Sequence, residues 1–268
     1  MATRALLFLL CVISVKSNKS LNDVLFSGDY SFVDLTHPFD ERTVYWPNSK
    51  RFEFTQKTGT FRDDGTWYAA NDFAAGEHGG THIDAPFHFA MNGQRVGELP
   101  LEKLIVPLII ADVSSMVNDN PNFVLYKQHL DYILNDNLGK PCLIIFKFGW
   151  SKFFNDTTKY LGQNEKNKTL NFPGLSGEVA EWITTSYKNI VGVGVDVASV
   201  DPGSSADFPV HKIFATAGLY GVENVNLLNY VPDHGCTALV LPMKINAGTG
   251  APLRIVAICP KQKLHTTF

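Results

Sequence analysis

Apolar residues gather along the chain in short unbroken runs more often than at helical spacing. Six runs rich in β-branched residues predict strands: Tyr30–Leu35, Leu104–Asp112, Cys142–Phe148, Ile190–Val197, Thr237–Ile245 and Leu253–Cys259. Most are apolar at successive positions, the pattern of a sheet covered on both faces. Two segments carry a helical period instead. Phe123–Asn135 places Val124, Leu125, Ile133 and Leu134 near one face and runs into the stop signals Asn137 and Gly139. Ser176–Lys188 opens with a Ser cap and Glu178 in the first turn, and it aligns Val179, Trp182, Ile183 and Tyr187 on a stripe. Strands outnumber helices, so the predicted class is α/β or α+β with a mixed, mostly buried sheet.

No repeat, Pro-rich linker or charge block divides residues 18–268, which predicts a single domain. Ahead of it, residues 1–17 have the layout of a secretory signal peptide: Arg4, an apolar stretch from Ala5 to Val15, then Lys16 and Ser17. That stretch is too short to cross ~30 Å of hydrocarbon, so the expected product is secreted and not membrane-bound. Losing Arg4 and Lys16, and no acid, would take the formal charge from −3 to −5. A mildly acidic chain without a basic stripe is no nucleic-acid binder. With 45% hydrophobic and 18% charged residues, it is not disordered either. Cys142, Cys236 and Cys259 lie beyond residue 17, allowing at most one internal bridge, for which Cys236–Cys259 is a candidate. Sequons at Asn18, Asn155 and Asn167 suit a glycoprotein.

The chemistry-bearing segment is Gly76–Phe89, where three of the chain's eight histidines and an aspartate are spaced H-x3-H-x-D-x3-H. Gly79, Gly80, the β-branched Thr81 and Ile83, and Pro86 all oppose a helix here. In an extended chain, residues 78, 82, 84 and 88 share a parity and face one side. His78, His82 and Asp84 then form a three-ligand metal site of the kind that leaves one position open for water. His88, beyond a Pro-imposed turn, is placed to reach that water without being a ligand. Further on, His211 and Glu223 are both metal-competent and flank the apolar stretch Ile213–Tyr220. No G-x-S-x-G or Walker sequence is present, which sets aside a serine elbow and P-loop phosphate chemistry.

The segment His78–Phe89 resembles the HxGTHxDxPxHF signature of the metal-dependent cyclase/hydrolase family that includes bacterial kynurenine formamidase and isatin hydrolase. Other matches follow in order: Asp34-Leu35-Thr36-His37-Pro38 resembles the opening strand, Gly194-Val195-Asp196 a later one, Asp201-Pro202-Gly203 its loop, and His211 with Glu223 the later His and Glu. The resemblance implies a swivelling β/β/α-type fold, a homodimer, and a divalent metal on His78, His82 and Asp84. In the zinc formamidases the counterpart of Asp84 can bridge to a second metal on the counterparts of His211 and Glu223. Isatin hydrolases look mononuclear and use manganese, so Zn²⁺ or Mn²⁺, one or two per chain, are the expected cofactors.

The resemblance suggests an arylformamidase of tryptophan catabolism, converting N-formyl-L-kynurenine to L-kynurenine and formate, with His88 moving the proton of a metal-activated water. An isatin-like cyclic amide is the alternative substrate. A secreted protein that binds a small aromatic ligand without turnover is the alternative of another class. The stretch Asp40–Asn71, polar and aromatic at once, reads as a covering loop or a recognition surface. Trp46, Trp67, Tyr68, Phe73 and Phe87 are the candidates for contacting an aromatic substrate.

Overall fold

The computed structural model of the chain describes residues 20–130, 139–163 and 169–261. The signal-like residues 1–17, the sequons Asn18 and Asn167, and positions 131–135 of the expected Phe123–Asn135 helix lie outside the described residues. Each of the six apolar runs forms a strand. In chain order the strands are β1 (Tyr30–Asp34), β2 (Glu53–Phe61), β3 (Trp67–Ala74), β4 (His82–Asp84), β5 (Ile105–Asp112), β6 (Val124–Leu125), β7 (Cys142–Lys147), β8 (Gly174–Leu175), β9 (Ile190–Val195), β10 (Tyr220–Glu223), β11 (Cys236–Pro242) and β12 (Gly250–Pro260).

The main sheet runs β1-β12-β11-β5-β7-β9-β10-β4, and β4 pairs back onto β12. Seven strands therefore close into a barrel-like ring, with β1 added outside it on β12. Strands β5, β7, β9 and β10 are parallel neighbours, while β1, β4, β11 and β12 join antiparallel, which makes the sheet mixed. Alternation along each strand supplies two apolar clusters. On β7, Cys142, Ile144 and Phe146 join Val179, Ile183 and Phe214 of two covering helices, Gly177–Ser186 and Pro209–Thr216. Leu143 and Ile145 point the other way, to Leu108, Val222 and Ala257. Cys236 and Cys259 form a disulfide between β11 and β12, and Cys142 is free and buried. No helix among the described residues is long and apolar enough to cross a membrane.

Two expectations change. Residues 123–130 are not α-helical: β6 pairs with β8, and a 3-10 turn follows at Lys127–His129. The Gly174 N–H reaches the Phe123 carbonyl and the Ser176 N–H that of Leu125, a non-local pairing that outcompetes the local helical spacing. The aromatic stretch is also more ordered than a loop. Residues 53–74 form the β2–β3 hairpin, with Phe61, Trp67, Tyr68 and Phe73 all exposed on it.

Asp196, just past β9, shows how the fold holds its loops. It is fully buried, and its carboxylate accepts the N–H groups of Phe148, Trp150 and Ser151 at 2.6, 2.9 and 3.3 Å. Truncating it strands three buried donors, each worth about 1–3 kcal/mol when unpaired. Asp196→Ala should lose at least about 3 kcal/mol in chemical denaturation with an unchanged m-value; a loss below 1 kcal/mol would show that the loop finds other partners.

Candidate active site

The site is organised by β4, which lies between β10 and β12. Its register sets Asp84 opposite Gly221 on one side and Gly250 on the other, and His82 opposite Glu223. The neighbouring glycine matters: a Cβ on Gly250 would stand 2.5 Å from Cε1 of His78. The turn that feeds β4 needs Gly80 in the left-handed region, at φ 56°. Thr81 ties this turn to the rest of the site, accepting the His37 N–H at 2.9 Å and donating to the Asn224 carbonyl at 2.7 Å.

Asp84 is 5% exposed and sits between two groups of donors. On one side are His78 Nδ1, 2.6 Å from Oδ1, and His82 Nε2, 3.3 Å from the same oxygen. On the other is His211 Nε2, 3.5 Å from Oδ2 and 3.1 Å from Glu223 Oε1. Within each triple, His78–His82–Asp84 and Asp84–His211–Glu223, the ligand atoms lie within 4.8 Å of one another, and Asp84 belongs to both.

Two features fit these residues to a divalent cation. The buried Oδ2 of Asp84 has no hydrogen-bond partner, a vacancy that is costly unless something electropositive faces it. The outer nitrogens of the buried histidines are also committed elsewhere. His82 Nδ1 donates to the Gly80 carbonyl at 3.0 Å and His211 Nδ1 to Asp201 Oδ2 at 2.7 Å, which turns each Nε2 inward as a metal ligand requires. Asp201 also accepts the N–H groups of Val210 and His211, so one carboxylate caps the Pro209–Thr216 helix and aims its histidine.

The electrostatics follow from this crowding. Burial disfavours a charged His82, but the Asp84 and Glu223 carboxylates overcome it and raise the ring to about 9. His211 is raised for the same reason, by Asp201, Asp84 and Glu223 against its own burial. Asp84 is held well below the usual carboxylate range, where the charge on His82 and the three imidazoles crowded against it outweigh desolvation. Burial pushes His88 the other way, down to about 4, so its ring is neutral at physiological pH.

These donors line a cavity of about 270 Å³ whose walls include Val44, Tyr45, Trp46, Phe89, Ala198 and Phe208, with Ser49, Ser199 and Asn224 as neutral polar groups. His88 lines it too, stacked on His78 with ring centroids 3.9 Å apart. The structure thus brings together His78, His82, Asp84, His88, His211 and Glu223. Among the aromatic candidates, Trp46 reaches the cavity, packed edge-on against Phe208. Trp67, Tyr68 and Phe73 lie on the exposed hairpin instead, and Phe87 stacks under the Arg95 guanidinium. Phe89, Phe208 and Asp201 were not singled out as site residues from sequence. Phe89 closes the HxDxPxHF stretch, and Asp201 heads the D-P-G loop.

Buried imidazoles and carboxylates converging on the floor of an apolar cavity are the equipment of metal-dependent hydrolases, the class that this fold and site define. The family follows from comparison. Residues 33–202, more than half of the chain, match the family described as "Putative cyclase", and the chain belongs to that cyclase family. It is similar to the isatin hydrolase of Roseibium aggregatum, at 27% identity over 88% of this chain and 95% of that protein. To the kynurenine formamidase of Bacillus thuringiensis subsp. konkukian it is 27% identical over 84% of this chain and 96% of the other. The solved structure of isatin hydrolase A from Ralstonia solanacearum superposes with a TM-score of 0.80 at 25% identity, covering 92% of this chain and 100% of that one. The chain is accordingly an enzyme, a hydrolase acting on C–N bonds.

The raised His82 gives metal binding a pH signature. Metal-free His82 keeps its proton up to about pH 9, so a cation must displace it at pH 7. Affinity should rise about tenfold per pH unit for each displaced proton between pH 7 and 9 and level off above. Calorimetric titration in buffers of different ionisation enthalpy counts those protons; none released at pH 7 would contradict the assignment.

Proposed function

We propose that the chain hydrolyses the amide bond of a small aromatic molecule, with Zn²⁺ or Mn²⁺ held by His78, His82 and Asp84 and a second ion accommodated by Asp84, His211 and Glu223. The observation that carries this reading is the Asp84 carboxylate in the cavity wall, common to both triples and with its Oδ2 partnerless. A divalent cation there supplies Lewis acidity and makes water a nucleophile at neutral pH. His88, neutral and facing the cavity, takes the proton of the attacking water on a ring nitrogen and returns it to the leaving nitrogen as the C–N bond breaks. Trp46, Phe89 and Phe208 hold the ring of the substrate and exclude water. Asn224, whose Oδ1 accepts the Tyr160 hydroxyl at 2.9 Å, has its amide N–H groups left to orient the substrate carbonyl.

Two aromatic amides suit this chemistry: N-formyl-L-kynurenine, giving L-kynurenine and formate, and a cyclic amide such as isatin. Among the described residues the cavity lining contains no Lys or Arg. No guanidinium or ammonium there pairs with the α-carboxylate of N-formylkynurenine, and desolvating that zwitterion costs more than desolvating a neutral ring. The lining therefore favours an uncharged, flat substrate of the isatin kind. The signal-like N-terminus and the exposed Asn155 sequon support a secreted glycoprotein as its setting.

Side-by-side hydrolysis by metal-replete protein should give isatin a kcat/KM at least about tenfold above that of N-formylkynurenine. The reverse order would overturn the substrate preference, and tight binding without turnover of any aryl amide would make the protein a ligand carrier. His88→Ala should keep its metal and lose about 10²–10⁴ in kcat. Loss of the metal would instead place His88 among the ligands.

A further inference from the structure

His78 differs from the other two histidines. It lies before β4 on a turn, its side chain is 24% exposed, and the nitrogen it turns toward Asp84 is Nδ1, where His82 and His211 present Nε2. Its ring is less confined by burial, so something else must hold it. The structure shows what does. His78 Nε2 lies 2.8 Å from Thr249 Oγ1, and Thr249 Oγ1 lies 2.6 Å from Glu77 Oε2. The same Glu77 oxygen accepts the backbone N–H groups of Thr249 and Gly250 at 2.9 and 3.3 Å.

Proton counting gives this chain of contacts a direction. An ionised carboxylate only accepts, and a hydroxyl has one proton. Glu77 Oε2 is an acceptor by geometry, since it already takes the backbone N–H groups of Thr249 and Gly250. The Thr249 proton therefore goes to Glu77, leaving only lone pairs toward His78, so the ring must donate from Nε2. That leaves Nδ1, which faces Asp84 Oδ1 at 2.6 Å, as the nitrogen that gives up its proton and ligates when a cation binds. Gly250 completes the arrangement, since the ring of His78 lies where a larger residue's Cβ would be.

We propose that Glu77 and Thr249 are positioning residues that fix His78 as an Nδ1 metal ligand through a carboxylate–hydroxyl–imidazole relay. The inference rests on the reading of His78, His82 and Asp84 as a metal site, and it goes beyond it by specifying the ligating nitrogen and the residues that select it. Outer partners of metal-bound histidines typically carry 10- to 100-fold in metal affinity.

The test is cobalt and zinc titration of the full chain, read by the visible absorption of Co²⁺ and by calorimetry, for wild type, Thr249→Val, Thr249→Ser, Glu77→Gln and His78→Ala. Thr249→Val keeps the shape and removes the hydroxyl; it should weaken metal binding about 10- to 100-fold. Thr249→Ser should restore it to within about threefold of wild type, and Glu77→Gln should fall between them. Nitrogen-15 correlation spectra of the wild-type zinc form need no variant to fold and should show His78 protonated at Nε2. A wild-type affinity for Thr249→Val alongside a weakened His78→Ala, or a His78 protonated at Nδ1 in the zinc form, overturns the relay and leaves the site standing. Wild-type metal binding by His78→Ala takes down both.

Discussion

A carboxylate buried inside a protein must be compensated, and Asp84 is the point at which this chain meets that requirement. Left alone in an apolar ring it would cost several kcal/mol. Three imidazoles gather round it, and even so its Oδ2 is left without a hydrogen-bond partner. The neighbouring strands give way to it by placing Gly221 and Gly250 alongside. Such an arrangement spends stability on a concentration of charge, which a divalent cation between the donors would relieve.

The ring topology then explains why residues far apart in sequence reach this carboxylate. The parallel strands β9 and β10 run in the same direction, and the segments leaving their carboxyl ends supply Ala198, Ser199 and Asp201 from one and Glu223 with Asn224 from the other. This is the end of a parallel sheet where α/β proteins place their ligands. β4 arrives antiparallel between β10 and β12, bringing His82 and Asp84 in a single register. Glu223 is steadied by the Val200 N–H at 2.9 Å, and His211 by Asp201, so the loop after β9 orients both later ligands. Rigid supports of this kind keep donors in place before any cation arrives.

Much of this was legible in the sequence, for identifiable reasons. Most of the six strands announced themselves because they are buried on both faces, leaving long apolar runs, while the half-exposed edge strand β1 showed itself by its apolar and aromatic composition. The ligand motif was readable because a glycine-rich, proline-broken stretch cannot be a helix, so parity decided which side chains converge; parity holds strictly only for His82 and Asp84, with His78 brought in by the Gly80 turn and His88 by a 3-10 turn. The hairpin at residues 53–74 was less visible, because its strands are exposed on both faces and show little alternation, although Asp64-Gly65 is a turn signal. The helical period of Phe123–Asn135 misled because pairing with Gly174 and Leu175, some 50 residues away, decides the conformation of its first residues. The aromatic contacts were hardest to foresee. Phe208 faces the cavity from a left-handed backbone conformation (φ 50°), and Trp67 is carried away from it by a hairpin.

The most direct test of the account is anomalous diffraction from crystals of the metal-loaded protein, recorded on both sides of the zinc and manganese absorption edges. The account requires a peak bounded by His78 Nδ1, His82 Nε2 and Asp84, with any second peak on the His211–Glu223 side of the same carboxylate. A metal bound at another place, or none near Asp84 at saturating concentration, would contradict it.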